Sequence, residues 1–181
     1  MNLRINRKDN EKGASLVEMA IVMPVLLMIF LGIMELGVAF RDILGASQAA
    51  REGTRIAAFA GNDVDADCYV IEGLSGYLAT SIDKLERVEI YHANAAGQQI
   101  PGQTNVYTWS GIGDVDDCTD WTSVVTWPST ARQTSVGTHP LDIIGVRIVV
   151  DHDWISGFPP FSGTFTIDET DITRMEPESF E

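Results

Sequence analysis

A membrane-length apolar segment near the N-terminus limits the possible folds of this chain more than any other feature. The segment runs from Met19 to Met34 without a charged residue, and a short leader that ends at Gly13 precedes it. One acidic side chain, Glu18, stands at its start. A charged group inside a bilayer segment costs roughly 2.5 to 3.5 kcal/mol on insertion scales, so this carboxylate needs a partner. If the chain is cut after Gly13, the new ammonium group of Ala14 lies one helical turn from Glu18 and can serve as that partner.

The distribution of charge predicts the orientation of the segment. The leader, residues 1–13, holds four Lys or Arg and two Asp or Glu, and Arg41 is the first positive charge beyond the apolar stretch. Because positive charge marks the cytoplasmic side, we expect the N-terminus in the cytoplasm and the C-terminal part outside. A helix from Ala14 to Phe40 would be about 40 Å long at 1.5 Å per residue. That length crosses a roughly 30 Å hydrocarbon core with Glu18 and Glu35 near opposite interfaces.

Two parts of the sequence carry a resemblance to a known family. The first part runs from Gly13 through Glu18 and the apolar segment to Ala49-Ala50-Arg51-Glu52-Gly53-Thr54-Arg55, and the second comprises residues 146–150, 158–161 and 170–177. In these parts the chain resembles the TadE-like pseudopilins of tight-adherence, or Flp-type, pilus systems, which are relatives of type IV pili and type II secretion. Met19 departs from the pattern, since Flp pilins favour tyrosine after the glutamate.

The resemblance implies a minor pseudopilin that acts in pilus assembly. It implies cleavage after Gly13 by a prepilin peptidase, which recognises glycine before the cut and glutamate at the fifth mature position. The expected partners are other pilins, the assembly platform, the peptidase and membrane lipid, and the expected location is the bacterial inner membrane. Glu18 would set axial register by attracting the Ala14 ammonium of a neighbouring subunit, with Glu35 as a second assembly residue.

The sequence divides into a leader (1–13), a transmembrane and continuing N-terminal helix (14–60) and an exterior domain (61–181). Residues 1–60 hold seven Lys or Arg and six Asp or Glu, whereas residues 61–181 hold five and twenty, so the net charges are +1 and −15. That acidity argues against binding of nucleic acid or of an anionic lipid surface, because both attract Lys and Arg. The exterior part is long enough for one small domain with its own core.

Hydrophobic periodicity predicts a pilin-like α+β fold, with a long N-terminal helix that continues into this small domain. Small residues at Gly45, Ala49, Gly53 and Ala57 repeat every four positions, which permits close packing against the sheet or against neighbouring helices. The alternative is that the alanines simply favour helix. A short helix is expected over residues 70–78. Strands of an antiparallel sheet are expected at 87–92, 105–109, 121–127, 143–151 and 164–174, with breaks at Gly97, Pro101-Gly102, Gly111-Ile112-Gly113 and Pro128.

Two cysteines, Cys68 and Cys118, lie in predicted loops on the oxidising side of the membrane. A disulfide is therefore expected, with two unpaired thiols as the alternative. Aspartates surround both cysteines, and a disulfide would gather up to seven carboxylates: Asp63, Asp65, Asp67, Asp114, Asp116, Asp117 and Asp120. Calcium takes six to eight oxygen ligands, so this cluster is either a calcium site or a solvated acidic loop.

No pattern for enzyme chemistry or for a cofactor other than calcium is found. His152 stands between two aspartates, but no second partner is visible, and neither His92 nor His139 is related to it by metal-ligand spacing. The four tryptophans, with Phe158 and Phe161, are expected to be core or contact residues. The competing hypothesis is a single-span, membrane-anchored exterior binding module, calcium-dependent or not, that does not assemble into a pilus.

Overall fold

The computed structural model describes residues 7–78, 81–135, 140–157 and 159–177, with side chains from residue 13 onward. These residues form a long helix, a short helix and a five-stranded antiparallel sheet, which confirms the predicted α+β class. The helices are α1 (Arg7–Ala60) and α2 (Ala66–Leu78), and the strands are β1 (Leu85–Ala93), β2 (Gln99–Thr108), β3 (Thr122–Val125), β4 (Ile143–Asp153) and β5 (Thr164–Arg174). The strand order is β3-β2-β1-β4-β5.

Helix α1 begins earlier than the sequence analysis predicted. It starts at Arg7 rather than at Ala14, so the second half of the leader is helical. The leader contains no proline, and its Lys, Arg and Glu residues are good helix formers, so nothing in it stops the helix. At the other end α1 stops at Ala60, as predicted, because Gly61 adopts the left-handed conformation with φ +62° that commonly ends helices. Residues 1–6 of the leader lie outside the described residues.

Strand β2 is longer than predicted because a bulge accommodates the residues that were expected to break it. Tyr91 pairs with Thr104 and Ala93 pairs with Gln99, so β2 contains extra residues between the two pairs. Pro101-Gly102 lies in this irregular stretch, where Gly102 has φ +77°. A bulge leaves residues unpaired, so it tolerates both the missing N–H of proline and the positive φ of glycine.

The chain separates into two compact units. The first unit contains the chain up to Val38 together with Trp154–Gly163, and the second contains Ala39–Asp153 and the chain from Thr164 onward. We call the described residues of the insertion, Trp154–Gly157 and Pro159–Gly163, the aromatic loop. The last part of α1 therefore belongs with the sheet, and the aromatic loop belongs with the apolar part of α1.

The hydrophobic core lies in the second unit, between one face of the sheet and the two helices. On β1, Val88 pairs with Ile148 and Ile90 pairs with Val146, and all four side chains are fully buried. Leu74 of α2 packs in the same cluster. The sheet therefore presents an apolar face that only a helix with small side chains can approach closely.

The small-residue stripe of α1 provides that approach. Ala49 and Ala57 are fully buried. A methyl group added at Gly53 would lie 2.9 Å from Leu74 Cδ2 and 3.1 Å from Val146 Cγ1. The stripe packs against α2 and β4, which confirms the prediction of close packing against the sheet.

Candidate membrane anchor and its carboxylates

The first part of α1 is exposed on every side although its residues are strongly apolar. Leu16, Ile21 and Phe30 retain 60 to 71% of their accessible surface. Among the described residues, α1 is the one helix long and apolar enough to cross a membrane, with a mean hydropathy of 2.6 in its most apolar window. A helix that is apolar all round requires lipid or other helices as its surroundings. The segment is therefore a candidate single-pass membrane anchor.

The predicted processing residues lie at the start of this anchor. Gly13, Ala14 and Glu18 are all exposed and all lie within α1, with Glu18 one turn beyond Ala14. A methyl group added at Gly13 would meet no atom within 4 Å, so no packing requirement explains the glycine. Glycine inside a helix is about 1 kcal/mol less favourable than alanine, which lowers the cost of unwinding the helix at this point.

Glu35, the second predicted assembly residue, is bound within its own chain. Its side chain accepts hydrogen bonds from the backbone N–H groups of Ile155, at 3.0 Å, and of Ser156. The residue keeps only 2% of its accessible surface. Two backbone donors directed at one carboxylate stabilise its charged form. Sequence reasoning missed this contact because 120 residues separate the partners.

A buried ionic cluster joins α1 to the sheet of the second unit. Asp42 is fully buried and lies 2.7 Å from His152 Nδ1, and it accepts hydrogen bonds from Lys84 Nζ and Ser81 Oγ, both at 3.0 Å. The sequence analysis found no partner for His152, and the structure corrects this, because Asp42 contacts it directly. Both side chains are closed to solvent, so the pair is suited to holding α1 in place and not to reacting with a substrate.

Asp67 has a structural role that its acidic neighbours do not share. It lies in the first turn of α2, where its carboxylate binds Arg132 and accepts hydrogen bonds from Asn105 at 2.6 Å and Tyr107 at 2.8 Å. Burial and the charge of Asp67 raise the pKa of Tyr107. The guanidinium group of Arg132 lies 4.8 Å from the ring centre of Trp127, so the cation also has an aromatic contact. This buried pair was not predicted, because the sequence places Asp67 in a run of similar aspartates.

Four of the other six aspartates stabilise turns in the backbone with their carboxylates. Asp63 accepts from the N–H of Asp65, Asp114 accepts from the N–H of Asp116, and Asp120 accepts from the N–H of Asp114. The Asp117 carboxylate accepts from both the N–H and the hydroxyl group of Thr119, and these bonds lower the pKa of Asp117.

The structure does not bring the seven predicted calcium ligands together. Among the described residues, the one compact group of possible ligand atoms consists of Cys68, Glu72 and Cys118. Two of its members form a disulfide, so that group cannot act as a thiolate site. Because backbone carbonyls and waters can also ligate calcium, a calcium site at these aspartates stays a prediction.

The predicted disulfide is present and joins Cys68 to Cys118, with their Cα atoms 5.3 Å apart. The prediction that both cysteines lie in loops was wrong. Cys68 lies in α2, and Cys118 begins a short 3₁₀ turn, Cys118–Asp120. The bond therefore ties α2 to the connection that precedes β3.

Several aromatic residues contribute to packing, as predicted. Trp121 and Trp127 are buried, and the ring of His92 stacks on Trp127 with 4.9 Å between ring centres. Trp154 and Phe161 contact each other within the aromatic loop. His139 and Phe158 lie outside the described residues.

Comparison with known families identifies the first part of the chain. A family model described as TadE-like protein matches residues 13–55, which begin at Gly13 and include Glu18 and Glu35. Comparison with curated proteins and comparison with solved structures give no match. The second resemblance, at the C-terminal end, lies outside the matched residues and stays a prediction. Over residues 13–55 the chain is similar to TadE-like proteins.

Proposed function

We propose that this protein is a minor pseudopilin that acts in the assembly of a tight-adherence pilus. The observation that carries the proposal is the coincidence of the TadE-like match with the exposed apolar part of α1. The family-matched residues begin at the glycine where processing is expected, and the large apolar side chains that follow, from Leu16 to Leu31, are exposed.

Processing after Gly13 would leave the anchor on the product. A peptidase must hold the peptide bond in an extended form, so the helix has to unwind around Gly13 before cleavage. The glycine lowers the cost of unwinding and leaves room in front of the cut, since no side chain projects from it. The leader, with its excess of positive charge, would remain in the cytoplasm.

Assembly would then depend on Glu18. Cleavage creates an ammonium group on Ala14, and a bundle of apolar helices offers that charge few partners. The attraction between the Ala14 ammonium and the Glu18 carboxylate of a neighbouring subunit strengthens as the local dielectric constant falls. Because Glu35 accepts hydrogen bonds within its own chain, Glu18 is the better candidate for an intersubunit contact.

The mass of the purified N-terminus tests this proposal. Wild-type protein from cells that make pili should begin at Ala14, whereas Gly13→Val should accumulate as the uncut precursor. Gly37→Val is the matched control, because a methyl group there also meets no atom within 4 Å and the position lies outside the leader. It should be cut like the wild type.

Other N-termini would support the competing hypothesis. Wild-type protein that keeps Met1, or is cut beyond Phe40, would favour a membrane-anchored binding module that does not assemble. Normal cleavage of Gly13→Val at Ala14 would show that the assigned site is wrong.

A further inference from the structure

We propose that the aromatic loop is a second membrane contact, in which Trp154, Ile155 and Phe161 lie in the outer interface of the bilayer beside the end of the apolar helix. The proposal rests on the membrane anchoring of α1 and adds a lipid-binding surface that belongs to a distant part of the sequence. All of its residues lie in the first unit of the chain.

The depth of the loop follows from its contact with α1. A methyl group added at Gly32 would lie 3.3 Å from Phe161 Cε2, so the phenyl ring lies directly against the helix. Gly32 is still within the uncharged stretch that ends at Met34. It precedes Glu35 by three residues, or about 4.5 Å along the helix axis. If α1 spans the membrane, Phe161 therefore lies at the level of the outer edge of the hydrocarbon core.

The composition of the loop suits this depth. Residues 154–163 contain no Asp, Glu, Lys or Arg, although residues 61–181 as a whole carry a net charge of −15. Tryptophan is enriched at the membrane interface, where its amphipathic ring lies at the level of the headgroups. Phenylalanine occurs with tryptophan on the apolar face of segments that lie in the interface. An uncharged surface also suits zwitterionic lipid. Such lipid has no net charge, so the acidic residues in the rest of the exterior part do not repel it.

The exposed residues of the loop include one large aliphatic side chain. Ile155 keeps 73% of its accessible surface, and it is held in this position by its own backbone, whose N–H binds Glu35. Trp154 and Phe161 contact each other with 5.1 Å between ring centres. The loop thus presents an isoleucine beside an aromatic pair. Both lie next to the end of the apolar part of α1, whose surroundings are proposed to be lipid.

Glu35 is the positioning residue in this arrangement. Its carboxylate receives the N–H groups of Ile155 and Ser156, which fixes the loop on the helix at the point where the apolar stretch ends. The hydrogen bonds also offset the cost of placing a carboxylate close to the hydrocarbon region.

Nitroxide quenching in vesicles tests the proposal. The full chain would carry one added cysteine, labelled with an environment-sensitive dye, in phosphatidylcholine vesicles at a low ratio of protein to lipid. Cys68 and Cys118 are bonded to each other, so only the added thiol reacts without a reducing agent. The test position for the label is Ile155. Ile112, which is 77% exposed in the second unit, is the matched control. Leu26, in the apolar part of α1, reports whether the helix is inserted in the bilayer.

The expected result is quenching of the label at Ile155 by a nitroxide placed near the headgroup, at least about twice the quenching at Ile112. The label at Leu26 should be quenched most by a nitroxide near the chain end. Equal, weak quenching at Ile155 and Ile112 with normal quenching at Leu26 would overturn the loop proposal and leave the anchor intact. Absence of quenching at Leu26 would instead overturn the anchor and with it both proposals.

A second variant tests the positioning role. Glu35→Ala removes both acceptor atoms and should lower quenching at Ile155 by at least about half while quenching at Leu26 stays unchanged. Glu35→Gln keeps one acceptor oxygen and should retain most of the signal. A different result would be a change in the fluorescence of the dye at Ile155 that depends on protein concentration and not on the nitroxide lipid. The surface would then bind a second copy of the chain, and the lipid proposal would be wrong.

Discussion

The two parts of α1 use opposite side chains for opposite surroundings. Up to Val38 the helix carries large apolar residues that are exposed, and from Ala39 to Ala60 it carries small residues that are buried. In the second part the helix packs against α2 and β4, where a methyl group added at Gly53 would already be crowded by Leu74 and Val146. Hydropathy therefore does not decide which part of this helix is covered by protein. The size of the side chains decides it, and the most apolar part is left for lipid or partner helices.

Two carboxylates of the helix, Glu18 and Asp42, differ in the same way. Glu18, at the start of the exposed part, has an accessible side chain. Asp42, at the start of the packed part, is fully buried with His152, Lys84 and Ser81 around it. Asp42 therefore contributes to the fold of the second unit, whereas Glu18 remains accessible to another molecule.

The largest expected effect is the loss of Asp42. Asp42→Ala removes the partner of a buried histidine and of Lys84, and breaking a buried ion pair costs about 3 to 5 kcal/mol of unfolding free energy. Urea unfolding in detergent, followed by tryptophan fluorescence, measures the change. Glu52→Ala is the control on the same helix, since Glu52 pairs with the exposed Arg55 and its loss should change stability by no more than about 0.5 kcal/mol. Equal effects of the two variants would show that the packed part does not depend on its buried acid.

Loss of the disulfide should have a comparable effect confined to the second unit. The bond closes a loop with a sequence separation of 50 residues, which stabilises the folded state by about 4 kcal/mol in the chain-entropy model. The double variant Cys68→Ala/Cys118→Ala should therefore unfold at a lower urea concentration. Addition of dithiothreitol should shift the wild type toward the variant and leave the variant unchanged. A wild type whose unfolding midpoint does not move on full reduction would contradict the prediction.

Substitution of Gly53 tests whether side-chain size limits the packing of α1 against the sheet. Gly53→Val places methyl groups against Leu74 and Val146, and overpacking of this kind costs about 1 to 3 kcal/mol. Gly37→Val makes the same substitution in the exposed part, where a methyl group has no neighbour within 4 Å, and should leave the stability of the second unit unchanged. If both variants are as stable as the wild type, the stripe does not limit packing.

The smallest effect is expected from an ion pair on the surface of the sheet. Hydrogen bonds from Arg147 lower the pKa of Asp168, whose side chain is 43% exposed. A carboxylate with a lowered pKa in the folded state stabilises that state above its unfolded pKa, and the stabilisation is lost as the pH falls through the folded pKa. Asp168→Asn should therefore cost no more than about 1 kcal/mol at neutral pH and less below about pH 4. A constant difference from the wild type between neutral and acid pH would show that the charge contributes nothing.

Sequence reasoning succeeded where a pattern was local. The end of α1 at Gly61, the positions of the five strands and the stripe that includes Gly53 all follow from turn chemistry, alternation or helical spacing. The pairing of Cys68 with Cys118 followed from their even number and the predicted compartment.

The errors arose where distant residues decide the outcome. Asp67 cannot be distinguished from Asp65 in the sequence, because its buried partners Asn105, Tyr107 and Arg132 lie 38 to 65 residues away. The extension of β2 through Pro101-Gly102 depends on a bulge in its pairing with β1. Likewise, the contact of Glu35 with Ile155 depends on a loop between two strands that hydropathy and spacing do not relate to the helix.

Cross-linking of a Glu18 variant separates processing of the protein from its assembly into a pilus. Glu18→Gln should still be inserted and at least partly cut after Gly13, since removal of a charge lowers the cost of insertion. The Ala14 ammonium would then lack its counter-ion in an apolar bundle, at a cost of about 3 to 5 kcal/mol, so cross-linking to other pilus components and release with sheared filaments should be lost. Glu52→Gln should behave like the wild type in both assays. Wild-type cleavage, cross-linking and piliation in the Glu18→Gln strain would contradict the account and favour a membrane-anchored module that does not assemble.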